Sequence, residues 1–300
     1  MIIRDRPSIF RILFAVRGSV VPKILPPLLV MTALSAGVVW FDGHVMPLYH
    51  PSSAPFAVFG LALSLFLSFR NNAAYDRWWE ARKLWGGLLA DLRSFARESD
   101  MFLADKATRQ EAIHLTLAFL HLHRLNLRRL SPDAAAKAAL AKVPDGTALL
   151  NKPPCAALDR LGATLAQTYR DGGMDGFGAR SLSQRLANIS LQQAGCERIA
   201  NTPLPFVYSL LIYRTTYLYC LILPLSLVEA AGWLSPFFVA VVAYLFFGLA
   251  EVTEELAQPF ANTLNGLPLD AICRAAEISL APHLGETAPP PLQPDRYHLS

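Results

Sequence analysis

From Ala54 to Phe69 the chain is apolar apart from two serines, and at Arg70-Asn71-Asn72 it turns polar with no Gly or Pro there to end the helix. Leu61, Leu65 and Phe69 recur every four residues and fall along one side, with Ser64 and Ser68 beside them. The stripe continues through Asn72 to Asp76, so one face of a single helix runs from an apolar collar to an amide to a carboxylate. That face suits the wall of a narrow pore, hydrophobic inside a membrane and wet below it. It also suits an ordinary membrane helix that packs its stripe on neighbours.

Four apolar segments have membrane character: Ile24 to Phe41, Ala54 to Phe69, Phe206 to Val228 and Trp233 to Ala250. The second is short, about 16 residues or about 24 Å, and its polar continuation supplies the missing length. Ser52-Ser53 with Pro55, and Asn201-Thr202 with Pro203, mark the openings of the second and third helices. Between the spans, residues from about Ala73 to Ala200 read as helices, strong formers dominating from Leu84 to Leu130, Ala134 to Lys142, Ala156 to Tyr169 and Ser181 to Ala200. Breaks are expected at Ser131-Pro132, Pro144-Asp145-Gly146, Pro153-Pro154 and Gly172-Gly173. The residues from about 286 to 300, opening on Pro289-Pro290-Pro291, read as an extended or mobile tail. The expected fold is all-α, a single domain over 1–300 with four transmembrane helices and a helical cytosolic region.

Composition agrees with a mixed chain. A mean hydropathy of +0.32 with 53 % hydrophobic residues is too high for a soluble protein of 300 residues and too low for one wholly in the membrane. The net charge of +4 is modest and its basic residues are dispersed beside apolar segments, which excludes nucleic acid as the expected partner. Arg4, Arg6, Arg11, Arg17 and Lys23 precede the first span and Arg70, Arg77, Arg82 and Lys83 follow the second, while Asp42 to Ser53 and Glu229 to Ser235 hold no Lys or Arg. The positive-inside rule then puts both termini and the middle region on the cytoplasmic side of the membrane. The basic, amphipathic N-terminus reads as an interfacial helix with no cleavage site. Cys155, Cys196, Cys220 and Cys273 are too dispersed for a metal pair or a disulfide framework.

Few residues invite chemistry. Arg214 sits within the third apolar segment, where a charge is costly. Counted outward from the turn between Glu229 and Ser235, its depth matches that of Glu251, so a buried Arg214–Glu251 pair is expected, with Glu254 or Glu255 as substitute partners. The alternative is that Arg214 snorkels to the headgroups. His114, His121 and His123 share a helix but lie on different faces or two turns apart, so no metal site and no cofactor are expected. There is no phosphate loop, nucleophile elbow or H-E-x-x-H, and an enzyme is not expected.

Three stretches, SFRNNAAYDRWWEARKLWG, CERIANTPLPFVYSLLIYRTTYLYC and EELAQPFANTLNGLPLDAICRAAE, together resemble the bacterial branch of the bestrophin family over nearly the whole chain. The resemblance implies a homopentamer of helical subunits around one axial ion pore, with membrane lipid and small inorganic ions as its other partners. It places the family's hydrophobic neck on Leu61, Leu65 and Phe69, the stripe that periodicity selects. Asn72 and Asp76 would line the pore below it. A second, cytosolic constriction best matches Phe177. Animal members bind calcium through an acidic run after the fourth span; here Pro259-Phe260 is followed by Ala261-Asn262-Thr263-Leu264-Asn265-Gly266, without a carboxylate, so calcium is not expected to act there. Ion sign stays open at this stage: helix N-termini and the basic rim favour anions, Asp76 and the glutamates favour sodium or potassium. A non-conducting membrane scaffold or receptor, its cytosolic helices binding a partner, is the alternative reading.

Overall fold

Helices make up the regular structure of the computed structural model, which describes residues 1–3, 10 and 15–300. In chain order they are α1 (Val21–His44), α2 (Ser53–Phe102), α3 (Lys106–Arg128), α4 (Ala134–Ala141), α5 (Cys155–Arg170), α6 (Gly176–Asn201), α7 (Phe206–Ala231), α8 (Ser235–Ala257) and α9 (Leu269–Leu284). No strand occurs among the described residues, only isolated bridges at Ile2–His298 and Asp295–His298. The expected N-terminal interfacial helix, with Arg4, Arg6 and Arg11, falls largely outside the described residues. The four expected chain breaks all separate helices. One further break went unforeseen. Residues 103–105 part α2 from α3, because the Asp105 carboxylate caps α3 by accepting from the Thr108 N–H at 2.8 Å, a stop that needs neither Gly nor Pro.

The chain forms two compact units, with α2 passing from one to the other between Trp78 and Trp79. One unit holds the described residues from 10 to 78 together with Pro203–Gln258. Among the described residues, three stretches are long and apolar enough to cross a membrane: Val21–His44, Ser53–Phe102 and Phe206–Ala257. The last contains both α7 and α8, joined by a 3-10 turn at Gly232–Leu234. α1 packs on α7 and α8, and the shared core takes in Ile24, Leu67, Ile212, Tyr219, Ala243 and Phe246. Gly60 leaves room there for the Tyr219 ring: a Cβ would lie 2.7 Å from its hydroxyl, and the ring would have to shift. The third span opens later than its Asn201-Thr202 signal. Those residues end α6 instead, and Pro205, which disfavours helix at Leu204, delays α7 to Phe206.

The other unit comprises Trp79–Thr202 and Pro259–Ser300 with the first residues of the chain. α3 is its central helix, buried from Ile113 to Leu125 almost all round and packed by α4, α5, α6 and α9. Asp133 and Asp175 cap α4 and α6 as Asp105 caps α3. Charges bind α9 to α3: Asp270 takes hydrogen bonds from Arg124 and from Arg128 at 2.7 Å, Arg124 also holds Asp133, and His121 meets Glu277 at 2.8 Å. His123 stacks between Trp85 and Phe119, and burial pushes its imidazole down to about 3, so it stays neutral. The C-terminal tail is extended but pinned rather than loose. Tyr297 and Leu299 carbonyls accept from Ile3 at 2.8 Å and Met1 at 2.6 Å, and Ser300 accepts from the Ala271 N–H at 2.9 Å.

Burial works against the charge on Asp270, yet hydrogen bonds and attraction from Arg124 and Arg128 outweigh it and hold the carboxyl below its ordinary range. A lowered folded value means that its stabilisation is complete above the unfolded aspartate value of about 3.9 and is lost as pH falls through the folded value. Thermal unfolding of the detergent-solubilised protein should therefore weaken as pH falls below about 4. Asp270→Asn should unfold earlier at neutral pH and lose less on acidification; parallel pH profiles for the two proteins would reject the assignment.

Candidate functional site

Successive residues of an α-helix turn by about 100°, so the buried positions Gly60, Leu63, Leu67, Arg70 and Ala74 form one narrow face of α2. Leu65 and Asn72 lie roughly opposite that face, with Leu61, Phe69 and Asp76 close beside them. All five are exposed; Leu61, Leu65 and Phe69 leave 68 %, 53 % and 67 % of their surface open. The helix runs through this stretch without a break. Its two serines do not make the collar polar, because Ser64 donates to the Gly60 carbonyl at 2.9 Å and Ser68 to the Ser64 carbonyl at 2.8 Å. The sequence-predicted stripe thus faces away from the chain's own core. Beside it, α2 and the start of α7 border an open apolar groove of about 620 Å³ whose walls include Phe66, Phe69, Tyr208 and Leu211.

At the inner end of this face, charge is buried. The Arg70 side chain is only 4 % exposed; its Nη2 donates to Glu254 of α8 and, at 2.6 Å, to Ser209 Oγ of α7. Ser209 in turn donates to the same Glu254 oxygen at 3.1 Å. Two turns further along α2, Arg77 Nε donates to the Ala257 carbonyl at 2.7 Å. Glu251 and Glu255, about 60° and 100° around α8 from Glu254, meet Lys23 of α1 at 2.6 and 2.9 Å.

The expected Arg214–Glu251 pair is not formed. Arg214 is exposed on α7, roughly 180° from the buried positions Ile212, Thr216, Tyr219 and Leu223, and Glu251 is taken by Lys23. Depth matching located the acidic end of α8 at the right level but says nothing about rotation, and rotation decides the partner. Of the substitutes named beforehand, Glu254 does hold a buried arginine. That arginine is Arg70, and its place in the three-and-four spacing of Leu63, Leu67 and Ala74 is the signal that identifies it.

In the other unit, Phe177 stands 83 % exposed in the first turn of α6, next to the Asp175 cap. His114, His121 and His123 do not converge, and no group of three metal-ligating side chains occurs among the described residues. The segment after Phe260 closes on its own backbone, with Leu267 donating to the Pro259 carbonyl at 2.8 Å and Gly266 to Thr263 at 3.2 Å. Of the four cysteines, three are buried and Cys155 is exposed.

Comparison with known proteins gives a consistent result. A family model described as bacterial/fungal bestrophin protein matches residues 1–282. A voltage-dependent anion channel-forming protein of Mesorhizobium japonicum is 42 % identical, covering 100 % of this chain and 97 % of the relative. One of the same description from Escherichia coli is 40 % identical over 99 % of both chains. Among solved structures, a bacterial bestrophin homologue from Klebsiella pneumoniae superposes with a TM-score of 0.80 at 30 % identity, covering 88 % of this chain and 99 % of that one.

Removing one partner of a buried ion pair strands the other. Arg70→Ala should cost about 3 kcal/mol, the low end for such a break because Glu254 remains 31 % exposed. Arg214→Ala should stay within about 0.5 kcal/mol of the parent. Thermal unfolding of the solubilised protein separates the two, and equal losses would contradict the pairing.

Proposed function

The chain belongs to the bestrophin family, whose members are channels rather than enzymes, and on that premise we propose that it forms a pentameric channel passing small anions down their gradient. The chain is a multi-pass membrane protein. The observation that carries the reading is the exposed face of α2, which points away from its own core and passes unbroken from Leu61, Leu65 and Phe69 to Asn72 and Asp76. Five copies around an axis would turn these positions into three apolar rings above an amide ring and a carboxylate ring. Narrow apolar rings resist wetting, so the neck acts as the barrier and the polar rings receive the ion below it. Five α2 N-termini at the outer mouth would present positive dipole ends to arriving anions.

In this arrangement α1, α2, α7 and α8 are the four spans, both termini lie in the cytoplasm of a bacterial cell, and Phe177 forms a second constriction in the cytosolic part. The basic residues ahead of α1 and below the neck support that orientation. The relatives' descriptions as anion channel-forming proteins support the ion sign. Asp76 is the observation that favours cations instead, since a carboxylate ring attracts them.

Two measurements test the proposal. Purified protein in planar bilayers should carry current whose reversal potential follows the chloride gradient, and substituting Leu61, Leu65 and Phe69 together by Ala should raise that current. Reversal at the cation potential would transfer the selectivity to Asp76, and absence of current would favour a membrane scaffold. A native mass spectrum should be dominated by the pentamer; a monomer or dimer would end the axial-pore reading.

A further inference from the structure

Phe69, the innermost apolar residue of the exposed face, is followed directly by Arg70, whose side chain turns inward to Ser209 and Glu254. Higher in α2 the contacts to the bundle are apolar, through Leu63 and Leu67. Such packing is non-directional and allows a helix to roll about its axis at small cost. A guanidinium held by a carboxylate and a hydroxyl is different, because its donors have fixed directions and an ion without its partner is expensive to bury. The Thr253 hydroxyl and the Asn71 amide oxygen, 3.5 Å apart, and the Arg77–Ala257 bond extend the tie between α2 and the last turns of α8. α8 is itself anchored to α1 through Lys23, Glu251 and Glu255.

We infer that Arg70, Ser209 and Glu254 form a positioning lock that sets the rotation of α2, and so decides whether Leu61, Leu65 and Phe69 are presented as the neck. The inference rests on the pore reading of the α2 face. None of the three residues belongs to that face; they act through the helix that carries it. A single guanidinium nitrogen, Nη2, carries the contacts to both Ser209 and Glu254, so loss of the carboxylate frees α2 to sample a second setting.

The test follows the neck's accessibility, which a role confined to stability would not alter in this way. The exposed native thiol is removed by Cys155→Ser, the other three cysteines being buried, and a reporter is introduced by Leu65→Cys. Reconstituted protein is treated with a charged methanethiosulfonate reagent. Glu254→Gln should speed modification at position 65 by about tenfold, the effect of a tenfold shift between two settings of α2. Ser209→Ala, which leaves the ion pair in place, should give a smaller increase, and Glu254→Asp should restore the slow rate. Open probability should change alongside, with the reversal potential unaltered because the pore walls keep their residues. Equal labelling rates in the parent, Glu254→Gln and Ser209→Ala pentamers would overturn the lock alone. A reporter protected from reagent in every background, although it reacts after denaturation, would overturn the pore face and the lock with it.

Discussion

An apolar side chain gains little by turning from lipid toward another helix, so hydrophobic burial cannot by itself set the rotation of a membrane helix. Directional polar contacts and close steric fits must do it. In the unit built from α1, the first half of α2, α7 and α8, both devices are present. Gly60 admits the Tyr219 hydroxyl at a distance that no Cβ would tolerate. At the inner end, the carboxylates of α8 divide between two helices: Glu251 and Glu255 take Lys23 of α1, and Glu254 takes Arg70 of α2. Once those contacts are made, the outward direction of Leu61, Leu65 and Phe69 is a consequence.

The second unit is organised by the opposite rule. Its central helix, α3, is buried almost all round and has ordinary apolar packing to rely on, so charge is left to secure the late-arriving element. α9 follows α3 by more than a hundred residues and is fastened by Asp270 to Arg124 and Arg128 and by Glu277 to His121. The backbone bonds between residues 1–3 and 297–300 and the Ser300–Ala271 bond close the same unit around its tail. Buried pairs of this kind contribute modestly to net stability but punish any arrangement that separates them, which favours one docking over others.

The two rules meet on α2, which runs for 50 residues through both units. Its register of buried positions continues from Gly60, Leu63 and Leu67 to Ala81, Trp85, Leu88 and Leu92, so one three-and-four spacing serves a membrane-grade core and then an aqueous one. The exposed side turns from apolar to polar beyond Phe69, while the buried side from Gly60 to Leu92 stays apolar apart from Arg70. That asymmetry is what makes this helix the candidate wall of a conduit and the others its supports.

Much of this was legible in the amino-acid order because it depends on local geometry. A four-residue spacing places Leu61, Leu65, Phe69, Asn72 and Asp76 on one side whatever the helix packs against, and proline and glycine pairs end helices by their own backbone limits. The motifs around Arg77-Trp78-Trp79 and Pro203-Leu204-Pro205 carried the family resemblance. What the order alone could not decide was every question that compares two helices. Helical periodicity fixes angles within an element, and depth counting fixes level, but neither fixes how one helix is turned toward another. Arg214 and Glu251 match in level and never meet; Arg70, three residues beyond the buried Leu67, is the cation that Glu254 receives. The docking of α9 and the pinning of the tail likewise join residues far apart in sequence, and only the tertiary structure brings those partners within hydrogen-bond reach.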